Sequence, residues 1–367
     1  MRTKTTTNYT MQYPNATHFA FVPAIVKFTG ASATSIRLSI QGDALSGALI
    51  DERAVFNGGC VFDIQRVLQM AFANVEHSKI AYNEAFNDSP LKTALTVAVS
   101  IQTGTTWNQV DSFMIDAIWG AISARESSGG VMLRKWFRHF PFTVDIFAKN
   151  GTSFDIEVDR GAAEIVFYSQ KEDAEGATPY HRYLMNPAKV LDIATAERSV
   201  HIAVPHSLVL KNDEESVGLV AYTLELDCAT KGLYLRWIDR QGRYCYYLFR
   251  SLGTADANSV ALAWEQNSMD VPTAYYDGVN NESPARQSLS TRHTVSLGAR
   301  LVDSETFDFL ISATTSPVVD VFDGYDADGA PTWHRVNVVA VSVSKTTAHY
   351  QDFTMSIEEP KTATQIL

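Results

Sequence analysis

Residues 232–249 read GLYLRWIDRQGRYCYYLF, and this stretch constrains the fold more than any other. Two runs of aromatic and aliphatic residues flank Asp239-Arg240-Gln241-Gly242, a polar quartet ending on glycine, which is the chemistry of a turn between two strands. A period of two places Leu233, Leu235 and Trp237 on one face, with Tyr244, Tyr246 and Leu248 as the matching row across the turn. Cross-strand aromatic pairs each contribute roughly 0.2–1 kcal/mol. Leu235, Trp237, Tyr244 and Tyr246 are therefore read as the residues of a structural hairpin.

The same period recurs along the chain. Ile36, Leu38 and Ile40 alternate with Arg37 and Ser39, the pattern of a half-buried strand. Leu95, Val97, Val99 and Ile101 repeat it, as do Phe142, Val144 and Ile146, then Phe154, Ile156 and Val158 beyond Lys149-Asn150-Gly151. Further strands are expected at 199–204, 206–210, 217–226, 295–301, 318–321, 336–343 and 353–357. Helical spacing is rarer. Ile64, Val67, Leu68, Ala71 and Phe72 fit one face of a short helix with Asp63 as its N-cap. Residues 111–125 fit a second helix or a strand, Gly120 weakening the helix. Ser304 is placed to cap a third, with Phe307, Leu310 and Ile311 inward and Ser316-Pro317 as its stop.

These signals predict a mainly β protein of β-sandwich-like modules with a few short helices. Three segments follow: a polar N-terminal arm over 1–18, a β-rich domain over 19–228, and a second β-rich domain over 229–367. The last carries a polar insert, 253–292, expected to be partly irregular. With 367 residues, 46% hydrophobic and 19% charged, the chain is expected to fold and not to stay disordered.

Charge limits the partners. A formal net charge of −11 and a pI near 5.3 disfavour general nucleic-acid binding. The basic run Arg134-Lys135-Trp136-Phe137-Arg138-His139 is short and reads as the edge of a strand. Cys60, Cys228 and Cys245 form no C-x-x-C pair and are odd in number, so neither a disulfide framework nor a closed zinc site is expected. No apolar run is long enough to span a bilayer, and no apolar core follows the first basic residues, so the expectation is a chain made in the cytoplasm with no membrane insertion.

Candidates for chemistry resolve to structural readings. No G-x-S-x-G elbow, phosphate-binding loop or H-E-x-x-H occurs. His201 and His206 have odd spacing on a strand-like stretch and would face opposite sides. In the segment from Asp323 to Gly329, Gly324 stands where a calcium loop needs its first acidic ligand, and Arg335 where it needs its closing glutamate. A hairpin turn rich in Asp and Gly is the better reading. Asp155/Glu157 and Glu225/Asp227 read as outward carboxylates of strands. No enzyme, cofactor or metal is expected.

Together with the hairpin LYLRWIDRQGRYCYYLF, the C-terminal segments Leu297-Gly298-Ala299-Arg300, Glu305-Thr306-Phe307-Asp308-Phe309-Leu310, Ser316-Pro317-Val318, Trp333-His334-Arg335-Val336-Asn337-Val338 and Gln351-Asp352-Phe353-Thr354-Met355-Ser356-Ile357-Glu358-Glu359-Pro360 resemble a family of tail proteins from phages and prophages of Bacteroidetes. The likeness covers about the last 135 residues of the sequence; the N-terminal half matches only in layout. The resemblance implies a virion protein similar to distal tail proteins, which form a ring between tail tube and baseplate. Its partners would be further copies of itself in a closed six-fold or three-fold ring, and the tube, hub or tip proteins of the tail. An alternative role is a carbohydrate-binding module for the host surface. In that case exposed aromatics such as Trp264, Tyr275 or Tyr276 would stack on sugar; in a ring subunit the same side chains would be buried between copies. Another ring or connector protein of the tail is the third reading.

Overall fold

The computed structural model describes residues 1–77, 80–122, 126–149, 154–158, 164–168, 180–191, 198–211, 214–263, 285–339, 345–346 and 348–359, with the side chains of 148–181, 205–206, 211–215, 217 and 253–292 outside that description. The protein is mainly β, with short helices at Gln65–Met70 and Pro187–Val190 and a longer one at Ser304–Thr315. Its described strands form four sheets.

The first sheet runs Arg2–Thr5, Thr10–Tyr13, Ile25–Thr29, Cys60–Asp63. Residues 1–18, expected as a polar arm, thus supply two of its strands, with Tyr9 and Met11 buried. The ring of Tyr9 meets Phe28 edge-on at 5.5 Å, and Phe28 meets Phe62 at 6.1 Å. Few buried apolar side chains among polar neighbours sufficed to dock the segment, because backbone pairing supplied the rest.

The second sheet runs Thr17–Phe19, Thr106–Ile118, Lys92–Thr103, Ser35–Gln41, Leu49–Ala54. Ile36, Leu38 and Ile40 are buried and alternate with half-buried neighbours, as their period requires. The stretch 111–125 enters this sheet as strand to Ile118, not as a helix. Its register pairs Phe113 with Val97 and Ile115 with Leu95. A twelve-residue neighbour with strict alternation offers a complete ladder, and that tertiary pairing outweighs a weak helical period interrupted by Gly120.

The third sheet follows the path Gly130–Phe137, Glu214–Asp227, Ser199–Lys211, Val144–Lys149, Tyr180–Met185, Phe86–Asp88, with Phe154–Val158 and Glu164–Tyr168 joined to its side. The basic run begins in its edge strand Gly130–Phe137 and ends in the turn after it, at Arg138 and His139. The fourth sheet runs Pro331–Arg335, Val319–Tyr325, Leu233–Ile238, Tyr244–Ala263, Ala285–Asp303, Tyr350–Glu358, Asn337–Val339. Here the described flanks of the 253–292 insert are ordered strand: Gly253 pairs with Ser296 and Ala263 with Ala285 in an antiparallel ribbon.

Two compact units divide the chain. One comprises Met1–Thr230, Arg236–Tyr247 and Phe322–Trp333; the other comprises Lys231–Leu235, Leu248–Val321 and His334–Leu367. Most of the aromatic hairpin, placed by its sequence position with the C-terminal half, therefore groups with the first unit. The second unit has its own core, in which Phe353 meets Phe307 at 5.6 Å and Phe249 at 6.1 Å. Its helix Ser304–Thr315 is capped by Asp303, whose Oδ1 accepts from the Thr306 N–H at 2.7 Å. Ser304, expected as the cap, is instead the first helical residue, and Ala313 joins Phe307 and Leu310 in the buried set. In the first unit, Ile64 is the N-cap of Gln65–Met70 without a side-chain bond. Asp63 sits one residue earlier and accepts from Gln65 N at 3.0 Å and Ala24 N at 3.3 Å, tying its strand to the next segment.

Candidate functional site: a buried arginine in an aromatic hairpin

Leu235, Trp237, Tyr244 and Tyr246 are all buried, as are Tyr234, Arg236 and Ile238 between them. The hairpin is therefore covered on both faces, whereas its period of two pointed to two chemically distinct faces. Its turn depends on Asp239, whose Oδ1 accepts from the N–H groups of Gln241 and Arg243, each at 2.9 Å. Gly242 has φ +74°, and a Cβ there would lie 1.6 Å from the Trp119 carbonyl oxygen. Only glycine fits.

Within the first unit a polar network threads the aromatic rings. The Arg236 guanidinium lies 4.3 Å from the centre of the Trp333 ring and 5.6 Å from that of Tyr244. Its Nη1 donates to the Tyr82 hydroxyl at 2.9 Å, and that hydroxyl is 3.1 Å from the hydroxyl of Tyr246. Tyr246 also shares a hydrogen bond with Thr143 Oγ1 at 2.8 Å. The Tyr244 hydroxyl lies 2.7 Å from His77 Nδ1. A buried cation is costly unless its donors are met, and π faces supplement hydrogen bonds in doing so.

Burial sets the protonation states. It holds the phenols of Tyr244 and Tyr246 well above their ordinary range, the nearby Arg236 charge pulling the other way with less effect. Cys245 is pushed well up by burial, and Asp239 adds to that; Cys60 is raised to about 11, again by burial first. Neither thiol is poised as a nucleophile, since reactivity follows the thiolate. What this arrangement does is tie strands to the segments around them: it links Tyr82 and Thr143 to Arg236, Tyr246 and Trp333, drawn from distant parts of the sequence.

The other sequence candidates fall as follows. Trp264, Tyr275 and Tyr276 lie outside the described residues, as does the side chain of His206. His201 Nδ1 sits 3.2 Å from Thr223 Oγ1. The Asp323–Gly329 segment forms a turn between Val319–Tyr325 and Pro331–Arg335, in which Asp326 Oδ1 accepts from Asp328 N at 3.0 Å and Ala330 N at 2.8 Å. Among the described residues no cluster of three or more His, Cys, Asp or Glu is placed to hold a metal ion. No described helix is long and apolar enough to cross a membrane. Sequence reading missed His77, Tyr82 and Thr143 and did not connect Trp333 with the hairpin, because all four are far from it in sequence. The available signal was Arg236, a charge inside an otherwise apolar strand.

No family model matches the sequence, and no curated protein matches it. Among solved structures, a chain from work on host cell surface retention of a 1.5-MDa bacterial ice-binding adhesin aligns over 90% of this protein and 97% of that chain, at 8% identity and a TM-score of 0.16. At that TM-score the likeness carries no argument.

Proposed function

We propose that this protein is a non-enzymatic structural component of a phage tail, a ring-forming distal tail or baseplate subunit linking the tail tube to the tip. Its place would be the virion, after synthesis in the host cytoplasm. The observation that carries the reading is the aromatic hairpin. Of the residues on which the likeness to phage tail proteins rests, Leu235, Trp237, Tyr244, Tyr246 and Phe249 of the hairpin are buried packing residues here, and the segments 297–300 and 305–310 form strand and helix of the second unit. A motif made of core residues transmits a fold and an assembly role more readily than a chemistry.

The surface is compatible with assembly. Leu49–Ala54 ends one sheet as an outer strand, where Ile50 is 64% exposed, and Phe56, just beyond it, is 79% exposed. Outer strands with exposed apolar side chains are surfaces on which further chains add. Identical subunits meeting head to tail close into a ring when the rotation allows. Native mass spectrometry of the purified chain is the test. The expected result is a closed species of three or six copies that also captures tube, hub or tip proteins. A monomer that captures none of them overturns the proposal. Retention on host polysaccharides by such a monomer would favour the carbohydrate-binding alternative, and a ring that joins other tail layers would favour the connector reading.

A further inference from the structure

The second sheet ends on the strand Leu49–Ala54, and its register fixes which backbone groups that strand leaves open. The ladder pairs Ile36 with Arg53, Leu38 with Asp51 and Ile40 with Leu49. One step beyond, the Val55 N–H donates to the Thr34 carbonyl at 2.9 Å. In an antiparallel pair such bonded positions alternate with unbonded ones. Leu49, Asp51 and Arg53 therefore bond inward to Ser35–Gln41, and Ile50, Glu52 and Ala54 turn their N–H and C=O groups away from the sheet. These last residues are exposed, and no described strand pairs with them on that side.

The charges of this edge are placed symmetrically about Glu52. Asp51 and Arg53 flank it, with carboxylate and guanidinium 3.2 Å apart. Arg53 also donates to the Val61 carbonyl at 2.8 Å, which holds it beside the edge. On the other face Arg37 meets Glu52 at 3.0 Å. Charges on an outer strand ordinarily keep further strands away, but these discriminate between registers. When a second copy of the strand adds antiparallel with Glu52 opposite its own counterpart, Ile50 faces Ala54 of that copy and every open backbone group of Ile50, Glu52 and Ala54 finds a partner. Asp51 then faces Arg53 of the second copy at an unbonded position, where side chains come closest, with Cα atoms about 4.5 Å apart. Centring the pair on Asp51 instead would set Asp51 against Asp51 and leave Ala54 opposite residues outside the strand. Centring it on Arg53 would set Arg53 against Arg53 and do the same to Ile50. The two central glutamates each keep their own Arg37, so their meeting is not a bare like-charge contact.

We propose that Leu49–Ala54 is a self-recognition strand: it pairs antiparallel, about a two-fold axis at Glu52, with the same strand of a second copy of this chain, so that the second sheet continues across both molecules. The occupant is a second copy because a two-fold contact is self-complementary, and an acid and a base equally spaced from the centre, as Asp51 and Arg53 are, satisfy that condition. Main-chain hydrogen bonds supply the affinity, and the charge pairs supply the register. The contact does not rest on the tail reading. A two-fold axis joins two copies whether or not head-to-tail contacts elsewhere close a ring.

Two measurements on the full chain test the contact. Glu52→Cys, in a Cys228→Ser background because Cys228 is exposed, should give a disulfide-linked dimer on mild oxidation. Opposed residues of a bonded pair lie about 5.5 Å apart between Cα atoms, within the ~4.4–6.8 Å that a disulfide spans. Ile50→Cys in the same background should give none, because its counterpart would lie roughly 13 Å along the strand. Cross-linking of neither variant, or of both equally, overturns the register. In sedimentation equilibrium, Asp51→Arg should weaken dimerisation about tenfold by setting like charges opposite each other, and adding Arg53→Asp to it should restore the dimer. Both side chains are partly exposed, so neither change removes core packing. Self-association that ignores both changes overturns the contact. A ring that forms without the Glu52→Cys disulfide also overturns it and leaves the tail reading standing, whereas the disulfide without a ring supports the contact and counts against the tail reading.

Discussion

The hairpin Leu233–Ile238/Tyr244–Phe249 and the ladder Ser35–Gln41/Leu49–Ala54 are both antiparallel strand pairs with alternating sequences, yet they are buried differently. In Ser35–Gln41 the buried residues are Ile36, Leu38 and Ile40, and their neighbours are at least partly exposed. In Leu233–Ile238 five consecutive residues are buried, a cation included. The ladder has one covered face. The hairpin has two, and its second face is made habitable for Arg236 by Tyr82, Tyr244 and Trp333. Alternation in a sequence thus reports a difference between faces, but not whether the more polar face meets water.

The comparison would be broken or sharpened most strongly at Trp237. Trp237→Ala removes a fully buried ring and should cost about 3–5 kcal/mol of stability, read as a lowered denaturation midpoint of the first unit. An unchanged midpoint would mean that the hairpin is not a core element. Next come matched aliphatic truncations. Ile238→Ala and Leu38→Ala should each cost about 2–5 kcal/mol by urea denaturation, although Ile238 lies on the opposite face from Trp237. If Ile238→Ala were neutral, the hairpin would have one covered face like the ladder.

A smaller effect is expected at Tyr82→Phe, which deletes the hydroxyl that accepts from Arg236 and lies beside Tyr246. Leaving a buried donor unmet costs about 1–3 kcal/mol, so a chemical melt should show a loss in that range. No loss would mean that the rings alone hold the cation. The least effect belongs to the ladder's outer face. Arg37 pairs with Glu52 at 3.0 Å and lies over the Trp107 ring at 3.9 Å, both on a partly exposed surface. Arg37→Ala should cost only ~0.2–1 kcal/mol, and less at high salt. A loss as large as that at Trp237 would show that this face is covered too.

Much of the secondary structure was legible without coordinates. Ile36, Leu38 and Ile40 declared their strand by period, and Asp239 to Gly242 declared the hairpin turn. Phe307 and Leu310 declared a helix before Ser316-Pro317. These are local matters, set by side-chain direction along a single element and by the few residues that tolerate a turn. Residues 111–118 were undecided because helix and strand periods overlap over so short a run, and the choice came from the partner Lys92–Thr103. Tyr9 and Met11 gave too weak a pattern to reveal that the first eighteen residues pair into sheets.

The sequence by itself determined that the chain is mainly β and where its sharpest turn lies. Only the tertiary structure decided that the hairpin groups chiefly with the first unit and that Arg236 is buried beside Trp333. The physical reason is range. Periodicity and turn chemistry act over a few residues, whereas the burial of a charge depends on groups from distant segments that must all arrive before it is compensated.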